Sequence, residues 1–285
     1  IDRFLSDVVG DESKELIYEI IGYCLTSDNR MQVAFMLLGK GSNGKSTLIN
    51  VITSLIGAGN ITNKSLEDLS KDRFAKADLY GSSLNICDDI DSVRLKSVSD
   101  FKVLTGGGEL DAQRKYGQPF KFRPFVKFIV SANEIPASPD TGYAYTRRWV
   151  VIPFPNVFPV NPDFESTLIT DQELSGLLNK AIFAWEMVRD RKSFTTTPAT
   201  TSAMQGFIEA SDPVPVFLEE MTDVTPTART NKPNFYQIYR KWCDDNGHRP
   251  LSSRRFTERI VQYTSATYSK SNGPEIWYGI DVKEY

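Results

Sequence analysis

Apolar residues recur along the first 155 positions in short runs that alternate with stretches of helical spacing. Mainly apolar runs predict strands at 33–38, 84–87, 126–131 and 149–152. Helical spacing marks residues 12–25, and it returns after the first run at Leu48, Val51, Ile52, Leu55 and Ile56. This alternation favours an α/β domain with a parallel central sheet.

The pattern changes towards the C-terminus. A long helix is predicted over Glu173–Val188, and the polar, proline-containing stretch 193–202 predicts a loop or linker. Beyond this stretch, the sequence pattern predicts three short helices followed by a β-hairpin with its turn at 271–274. This is the arrangement of a winged-helix module. These elements are 214–221, 234–246 and 252–263, then Ala266–Tyr268 and Glu275–Val282.

We therefore expect four parts along the chain. They are a helical segment over 1–30, an α/β domain over 31–192, a linker over 193–213 and a winged-helix-like module over 214–285.

Composition narrows the class of protein. Hydrophobic residues make up 40% of the chain and charged residues 24%, as in ordinary globular domains, and the longest apolar run, Val33–Leu38, is too short for a membrane span. The cysteines form no Cys-x-x-Cys pair and His248 is the one histidine, which disfavours disulfide frameworks, zinc sites and histidine-based catalysis. We expect a cytoplasmic protein whose chemistry depends on carboxylates, Lys, Arg and a metal ion.

Residues 39–47, Gly-Lys-Gly-Ser-Asn-Gly-Lys-Ser-Thr, match the phosphate-loop pattern G-x-x-x-x-G-K-[ST] between a predicted strand and a predicted helix. The glycines let backbone N–H groups surround a triphosphate, and the helix N-terminus adds partial positive charge. Lys45 would reach the β- and γ-phosphates, and the Ser46 hydroxyl would ligate Mg²⁺. The sequence thus predicts a nucleotide site formed by Gly39, Asn43, Gly44, Lys45, Ser46 and Thr47.

Polar residues follow two later strands. Asp88 and Asp89 end the run that starts at Leu84, and they would hold Mg²⁺ and orient the attacking water, unless they belong to a solvated turn. Asn133 ends the run from Val126 and could contact the γ-phosphate, although Asn is also a common turn residue.

Other phosphate-loop enzymes fit less well. The N-K-x-D motif of GTPases is absent, and the glycine run Thr105–Gly108 follows the acidic strand end, whereas an ABC transporter signature precedes it. A small-molecule kinase remains an alternative.

In this order the motifs resemble those of superfamily III helicases, especially the C-terminal helicase region of phage, plasmid and poxvirus primase–helicases. The matching segments are 18–25, 39–47, 84–89, 104–122, 128–136 and 147–149. The resemblance implies that 31–192 is an AAA+ ATPase that uses ATP and Mg²⁺ and forms a hexameric ring on single-stranded DNA, with a primase domain or protein as a further partner. It also implies that Asn133 is the sensor and that Arg148, or otherwise Arg147, is the arginine finger offered to the neighbouring subunit.

Two basic segments are candidates for contact with DNA, although the net charge is −3. Residues 109–123 predict a β-hairpin, and the resemblance implies that its tip, Arg114, Lys115 and Tyr116, grips a single strand in the ring channel. A solvated hairpin edge is the alternative. The second segment would bind duplex DNA, bind a partner or only face solvent, and it contains Arg249, Arg254, Arg255 and Arg259.

Together these observations predict an ATP-dependent, ring-forming replicative DNA helicase of a phage, plasmid or other mobile element. The 3′→5′ polarity follows from the resemblance alone. The alternatives are a DNA-stimulated ring ATPase that remodels or packages DNA without unwinding it, and an origin-binding protein with a vestigial ATP site.

Overall fold

A five-stranded parallel sheet organises the first part of the chain in the computed structural model, which describes residues 1–87, 98–135, 143–269 and 275–283. The strands that precede residue 155 are β1 (Ala34–Leu38), β2 (Ile61–Thr62), β3 (Leu84–Cys87), β4 (Leu110–Gln113), β5 (Pro119–Phe122), β6 (Lys127–Ala132) and β7 (Trp149–Pro153). The sheet has the order β2-β3-β6-β1-β7, and each neighbouring pair is parallel. The predicted parallel sheet is confirmed, and β2, with two residues, gave no sequence signal.

The strand order brings three strand ends to one edge. β6 lies between β1 and β3, with Leu38 opposite Ala132 and Cys87 opposite Val130. The C-terminal ends of β1, β3 and β6 therefore lie at the same edge of the sheet, where ligands of open α/β sheets bind.

Helices cover both faces of this sheet. They are α1 (Asp2–Val9), α2 (Asp11–Cys24), α3 (Lys45–Ile56), α4 (Leu66–Lys71), α5 (Arg73–Ala77), α6 (Val98–Gly106), α7 (Tyr143–Thr146), α8 (Phe164–Leu168), α9 (Asp171–Arg191) and α10 (Pro198–Ser211), with a 3₁₀ turn at Ala58–Asn60. Alternate strand residues enter different cores: Phe35 and Leu37 pack with α1, α2, α3 and α9, whereas Ala34 and Met36 pack with α4, α5 and α6. None of the helices in the described part of the chain is long and apolar enough to cross a bilayer.

Two boundaries differ from expectation. The chain divides into the units Ile1–Phe207 and Ile208–Tyr285, and residues 1–30 belong to the first because α1 and α2 share its core. The predicted linker 193–213 contains a helix, α10. Pro198 is tolerated at its first position, and Thr197 caps it by accepting a hydrogen bond from Thr200 N at 3.2 Å.

The predicted hairpin is confirmed. β4 and β5 are antiparallel, with Leu110 opposite Phe122 and Gln113 opposite Pro119, so Pro119 begins β5 and is not part of the turn. Phe120 and Phe122 point to the side where Tyr80 lies, with ring centroids 5.6 and 5.5 Å from the Tyr80 ring. This aromatic anchor (Tyr80, Phe120 and Phe122) fixes the hairpin beside the end of α5.

The second unit contains the three predicted helices. Its elements are α11 (Val214–Met221), β8 (Thr222–Asp223), β9 (Arg229–Asn231), α12 (Lys232–Asp245), α13 (Ser253–Tyr263), β10 (Thr267–Tyr268), β11 (Ile276–Tyr278) and β12 (Asp281–Val282). The predicted hairpin is confirmed as β10 and β11, while its turn lies outside the described residues. Gly279, with φ 90°, ends the second strand, and β12 pairs with β8 instead.

Candidate active site

A glycine-rich loop, residues 39–44, joins β1 to α3 at the edge where the strand ends meet. Gly44 has φ 89° and occupies the N-cap position of α3, where it provides no side chain to cap the first N–H groups of the helix. A Cβ at Gly39 would lie 2.3 Å from Asn43 Nδ2 and 2.5 Å from Phe154 O. Gly39 is therefore required by close packing and Gly44 by its backbone conformation, and a helix start of this kind is a common place for an anion to bind.

Lys45 and Asn133 meet in this loop. Lys45 is the first residue of α3, and its ammonium donates to Gly39 O, to Asn43 Oδ1 at 3.2 Å and to Asn133 Oδ1 at 3.5 Å. Asn133 directly follows β6, so two residues 88 positions apart in the chain reach the same point. The sequence motif and the strand order thus place a buried cation beside an amide at the sheet edge.

The predicted metal ligands are described in part. Ser46 is exposed on the first turn of α3 and Thr47 is half-buried. Asp88 and Asp89 lie outside the described residues, although β3 ends one residue before them. Within the described ranges, no group of three or more His, Cys, Asp or Glu side chains could hold a metal ion. Of the two predicted Mg²⁺ ligands, Ser46 and Asp88, the described part of the chain contains Ser46, whose hydroxyl is an oxygen ligand of the kind that Mg²⁺ takes.

A cavity of about 420 Å³, called here the α1 cavity, opens beside the loop. Two contacts secure its outer wall: Phe158 N donates to Ser42 O, and Asn156 Nδ2 donates to Asp7 O, both at 2.8 Å. Its walls come from α1, the glycine loop and the chain that follows β7, and they are formed by Phe4, Asp7, Val8, Ser42, Gly44, Thr47, Phe158, Pro159, Val160, Asn161 and Phe164. No sequence pattern indicates this cavity, because its walls come from separate parts of the chain.

The two candidate finger residues differ in exposure. Arg147 is exposed, whereas Arg148 is buried and donates to Ala144 O within its own subunit. The cost of removing the charge from water lowers the pKa of Arg148, and the neighbouring Arg147 charge adds to this effect. Of the two guanidinium groups, that of Arg147 is thus the one open to solvent.

The hairpin tip is fully accessible. Arg114, Lys115 and Tyr116 are exposed, and Tyr116 has φ 64°. The turn is closed by Gly117 N, which donates to Arg114 O at 2.9 Å, and by Gln113 Nε2, which donates to Gly117 O at 2.8 Å. Two cations and an aromatic ring are therefore presented together on a short, ordered turn.

The C-terminal arginines separate into two groups. Arg259 Nε lies 2.9 Å from the buried carboxylate of Asp212, so this arginine supports the second unit from within. Arg254 forms an exposed pair with Glu258 at 3.0 Å along α13, and Arg249 and Arg255 are also exposed. Three arginines near the start of α13 thus remain at the surface.

Comparisons with known proteins divide the chain in a similar way. Residues 37–148 match a family of unknown function (DUF5906), and residues 209–285 match the family described as Poxvirus D5 protein-like. A putative helicase, L207/L206 of Acanthamoeba polyphaga mimivirus, is 28% identical over 166 residues. That alignment covers 55% of this chain and 17% of the mimivirus protein.

Solved structures resemble nearly the whole chain. An apo structure of the NrS-1 C-terminal region matches with a TM-score of 0.53 and 14% identity, covering 98% of this chain and 75% of that one. A second apo structure of the same region gives a TM-score of 0.51 at 15% identity, with 98% and 74% covered. This likeness concerns the fold. Together with the sequence matches, it supports a helicase-like region of viral type.

Proposed function

We propose that this chain is an ATP-dependent DNA helicase motor of the superfamily III type, active as a hexameric ring in the replication of a virus or other mobile element. The observation that carries the proposal is the meeting of Lys45 Nζ with Asn133 Oδ1, 3.5 Å apart, at the end of a glycine loop. A lysine at a helix start and an amide from a neighbouring strand end are the groups that would read a γ-phosphate.

ATP would bind with its phosphates over the start of α3. Lys45 would exchange its present oxygen partners for β- and γ-phosphate oxygens, and the loop N–H groups would surround the rest of the triphosphate. Mg²⁺ would neutralise the charge that develops on the phosphates, with Ser46 and Asp88 as its protein ligands. Asp89 and Asn133 would orient the attacking water.

The α1 cavity would hold the nucleoside. It adjoins Gly44 and Thr47, and its volume is within the ~300–1,000 Å³ usual for small-molecule pockets. The apolar walls formed by Phe4, Phe158 and Phe164 suit the faces of a base.

A neighbouring copy would complete the site. Arg147, exposed between α7 and β7, would act as the arginine finger, and Arg148 would support the same turn from inside. A guanidinium supplied from a second subunit neutralises charge in the transition state. Hydrolysis would then require assembly of the ring.

DNA would be held by the hairpin tip. Arg114 and Lys115 would contact phosphates and Tyr116 would stack on a base, so binding would be independent of sequence and sensitive to salt. ATP turnover would move this tip along a single strand, in the 3′→5′ direction by analogy with the resembling family. The second unit would act as a winged-helix module in which the exposed arginines near the start of α13 face duplex DNA. We place the protein in the host cytoplasm, with a primase domain or protein as a further partner.

ATP hydrolysis with and without single-stranded DNA tests the proposal directly. We expect hydrolysis that DNA stimulates and that Lys45→Ala reduces at least about a hundred-fold. Lys40→Ala is the matched control, because Lys40 is exposed in the same loop outside the motif positions. Equal losses in both variants, or hydrolysis that ignores DNA, would contradict a DNA-coupled motor. Strand separation on a tailed duplex then distinguishes unwinding from remodelling.

A further inference from the structure

The turn over residues 26–32, between α2 and β1, is a closed and well-anchored piece of backbone. Asp28 Oδ1 accepts from Arg30 N at 2.8 Å, and Asn29 O accepts from Gln32 N at 3.1 Å. The buried ammonium of Lys127 donates to Thr26 O from the sheet side. The turn is therefore closed by its own hydrogen bonds and tied to the start of β6 by Lys127.

Asn29 lies between the two ends of the segment that carries the hairpin. Its Nδ2 donates to Pro124 O at 2.8 Å, just after β5. The same Nδ2 is near Gly107, just before β4, where an added Cβ would lie 3.6 Å from it. A single side chain is thus bonded to one end of the hairpin segment and close to the other.

Gln32, at the other end of the turn, contacts the proposed finger. Arg147 Nη2 donates to Gln32 Oε1 at 3.2 Å. Gln32 has φ 55°, a left-handed conformation that a residue with a side chain rarely adopts. The hydrogen bond from Gln32 N to Asn29 O closes the turn in which this conformation occurs.

We propose that the 26–32 turn couples the nucleotide of a neighbouring subunit to the DNA-binding hairpin, with Gln32 and Asn29 as its two positioning residues. Arg147 would contact the neighbour's triphosphate, and Gln32 would move with it through their hydrogen bond. Asn29 would then transmit the movement of the turn to the two ends of the hairpin segment. The inference rests on the proposed function, and it concerns how two sites communicate, not whether either exists.

The test measures the ratio of DNA-stimulated to basal ATP hydrolysis in four variants. Gln32→Gly removes the side-chain amide, and glycine readily adopts the positive φ of this position. Gln32→Glu keeps a hydrogen-bond acceptor for Arg147. Asn29→Ala removes the contact with Pro124. Asn60→Ala is the matched control, because its Nδ2 makes a comparable bond to Ile56 O, at 2.9 Å, away from this turn.

We expect Gln32→Gly and Asn29→Ala to lower the ratio by at least about five-fold. In Gln32→Glu and Asn60→Ala this ratio should stay within about two-fold of the parent value. A general loss of structure would lower the ratio in Gln32→Glu as well, and it would not be confined to variants of this turn. Single-strand affinity and the unfolding midpoint, measured on each variant, identify any that fail to fold. If the parent is stimulated by DNA and both positioning variants remain fully stimulated, the inference is wrong. Absence of stimulation in the parent would overturn the proposed function together with it.

Discussion

Arg147 and Arg148 are adjacent in the chain, yet their guanidinium groups lie in opposite environments. Arg147 is exposed and donates to Gln32 Oε1, whereas Arg148 is buried and donates to Ala144 O. The Nε of Arg148 has no hydrogen-bond partner among the described atoms. A guanidinium enclosed in this way cannot contact another molecule without leaving the core, so the two arginines are expected to have different roles.

Substitution of each arginine should separate those roles. Arg147→Ala should reduce hydrolysis by about 10³-fold, with nucleotide affinity and unfolding free energy close to those of the parent. Arg148→Ala should lower the unfolding free energy by about 2 kcal/mol, because it removes packed side-chain volume and a buried hydrogen bond. Steady-state hydrolysis and denaturant unfolding measure the two effects. A stable Arg148→Ala protein without hydrolysis would return the finger role to Arg148.

Two glycines of the same loop should respond differently to an added methyl group. A Cβ at Gly39 would overlap Asn43 and Phe154 O, whereas a Cβ at Gly41 meets nothing within 4 Å. Gly39→Ala should therefore distort the loop and weaken binding of a fluorescent ATP analogue by at least about ten-fold. Gly41→Ala should bind within about two-fold of the parent. Similar affinities for both variants would show that the loop shape does not determine nucleotide binding.

The hairpin tip should dominate single-strand binding. Lys115→Ala should weaken binding and make the negative slope of log affinity against log salt shallower by about 0.7, the effect of one phosphate contact. Lys121→Ala serves as the control, because the Lys121 ammonium lies 3.4 Å from Glu109 and 3.7 Å from Asp111 on the hairpin strands. Fluorescence anisotropy with labelled oligonucleotides measures both. Equal salt slopes in the two variants would remove the tip from the DNA-binding surface.

Lys127, the buried lysine of β6, should make the unfolding free energy depend on pH. Burial lowers the pKa of Lys127 to about 8, against the opposing influence of Cys24 and Asp28, and the ammonium also lies 4.7 Å from the Tyr23 ring centroid. Because the unfolded chain holds this proton up to about pH 10.4, it binds more protons than the folded state between pH 8 and 10.4. The contribution of Lys127 to stability should therefore rise with pH across that window.

Comparison with Lys127→Met isolates this effect. Between pH 8 and 10.4 the unfolding free energy of the parent, relative to the variant, should increase by up to roughly 3 kcal/mol. Titration of Cys24 and Tyr23 occurs in both proteins and largely cancels. Chemical denaturation at several pH values provides the measurement, and a constant difference would mean that Lys127 keeps an ordinary pKa.

The parts of the site that were predictable from sequence are local. The whole glycine loop lies within residues 39–47, so the motif and the apolar residues on either side of it were enough to predict a loop between a strand and a helix. The hairpin was equally readable, because strand alternation and turn residues lie within 109–123. By contrast, the position of β6 between β1 and β3 depends on pairings between distant segments that periodicity does not encode.

Other features depended on packing. The sequence does not indicate which of Arg147 and Arg148 is buried. Both residues lie in a turn just before β7, and a turn has no regular alternation of buried and exposed positions. Composition was a partial guide at 193–202, because residues 193–197 form a loop but Pro198 begins α10. In the C-terminal cluster, the partner of Arg259 is Asp212, 47 residues earlier, so its internal role could not be inferred from charge.

The aromatic anchor formed by Tyr80, Phe120 and Phe122 has a mechanical consequence. Three mutually contacting rings resist sliding of the hairpin past the end of α5, since any slip must separate them all. The hairpin is therefore held firmly at this point. If its tip moves along a strand during ATP turnover, as we propose, a weaker anchor should reduce the distance that the tip travels and leave its contacts with DNA unchanged.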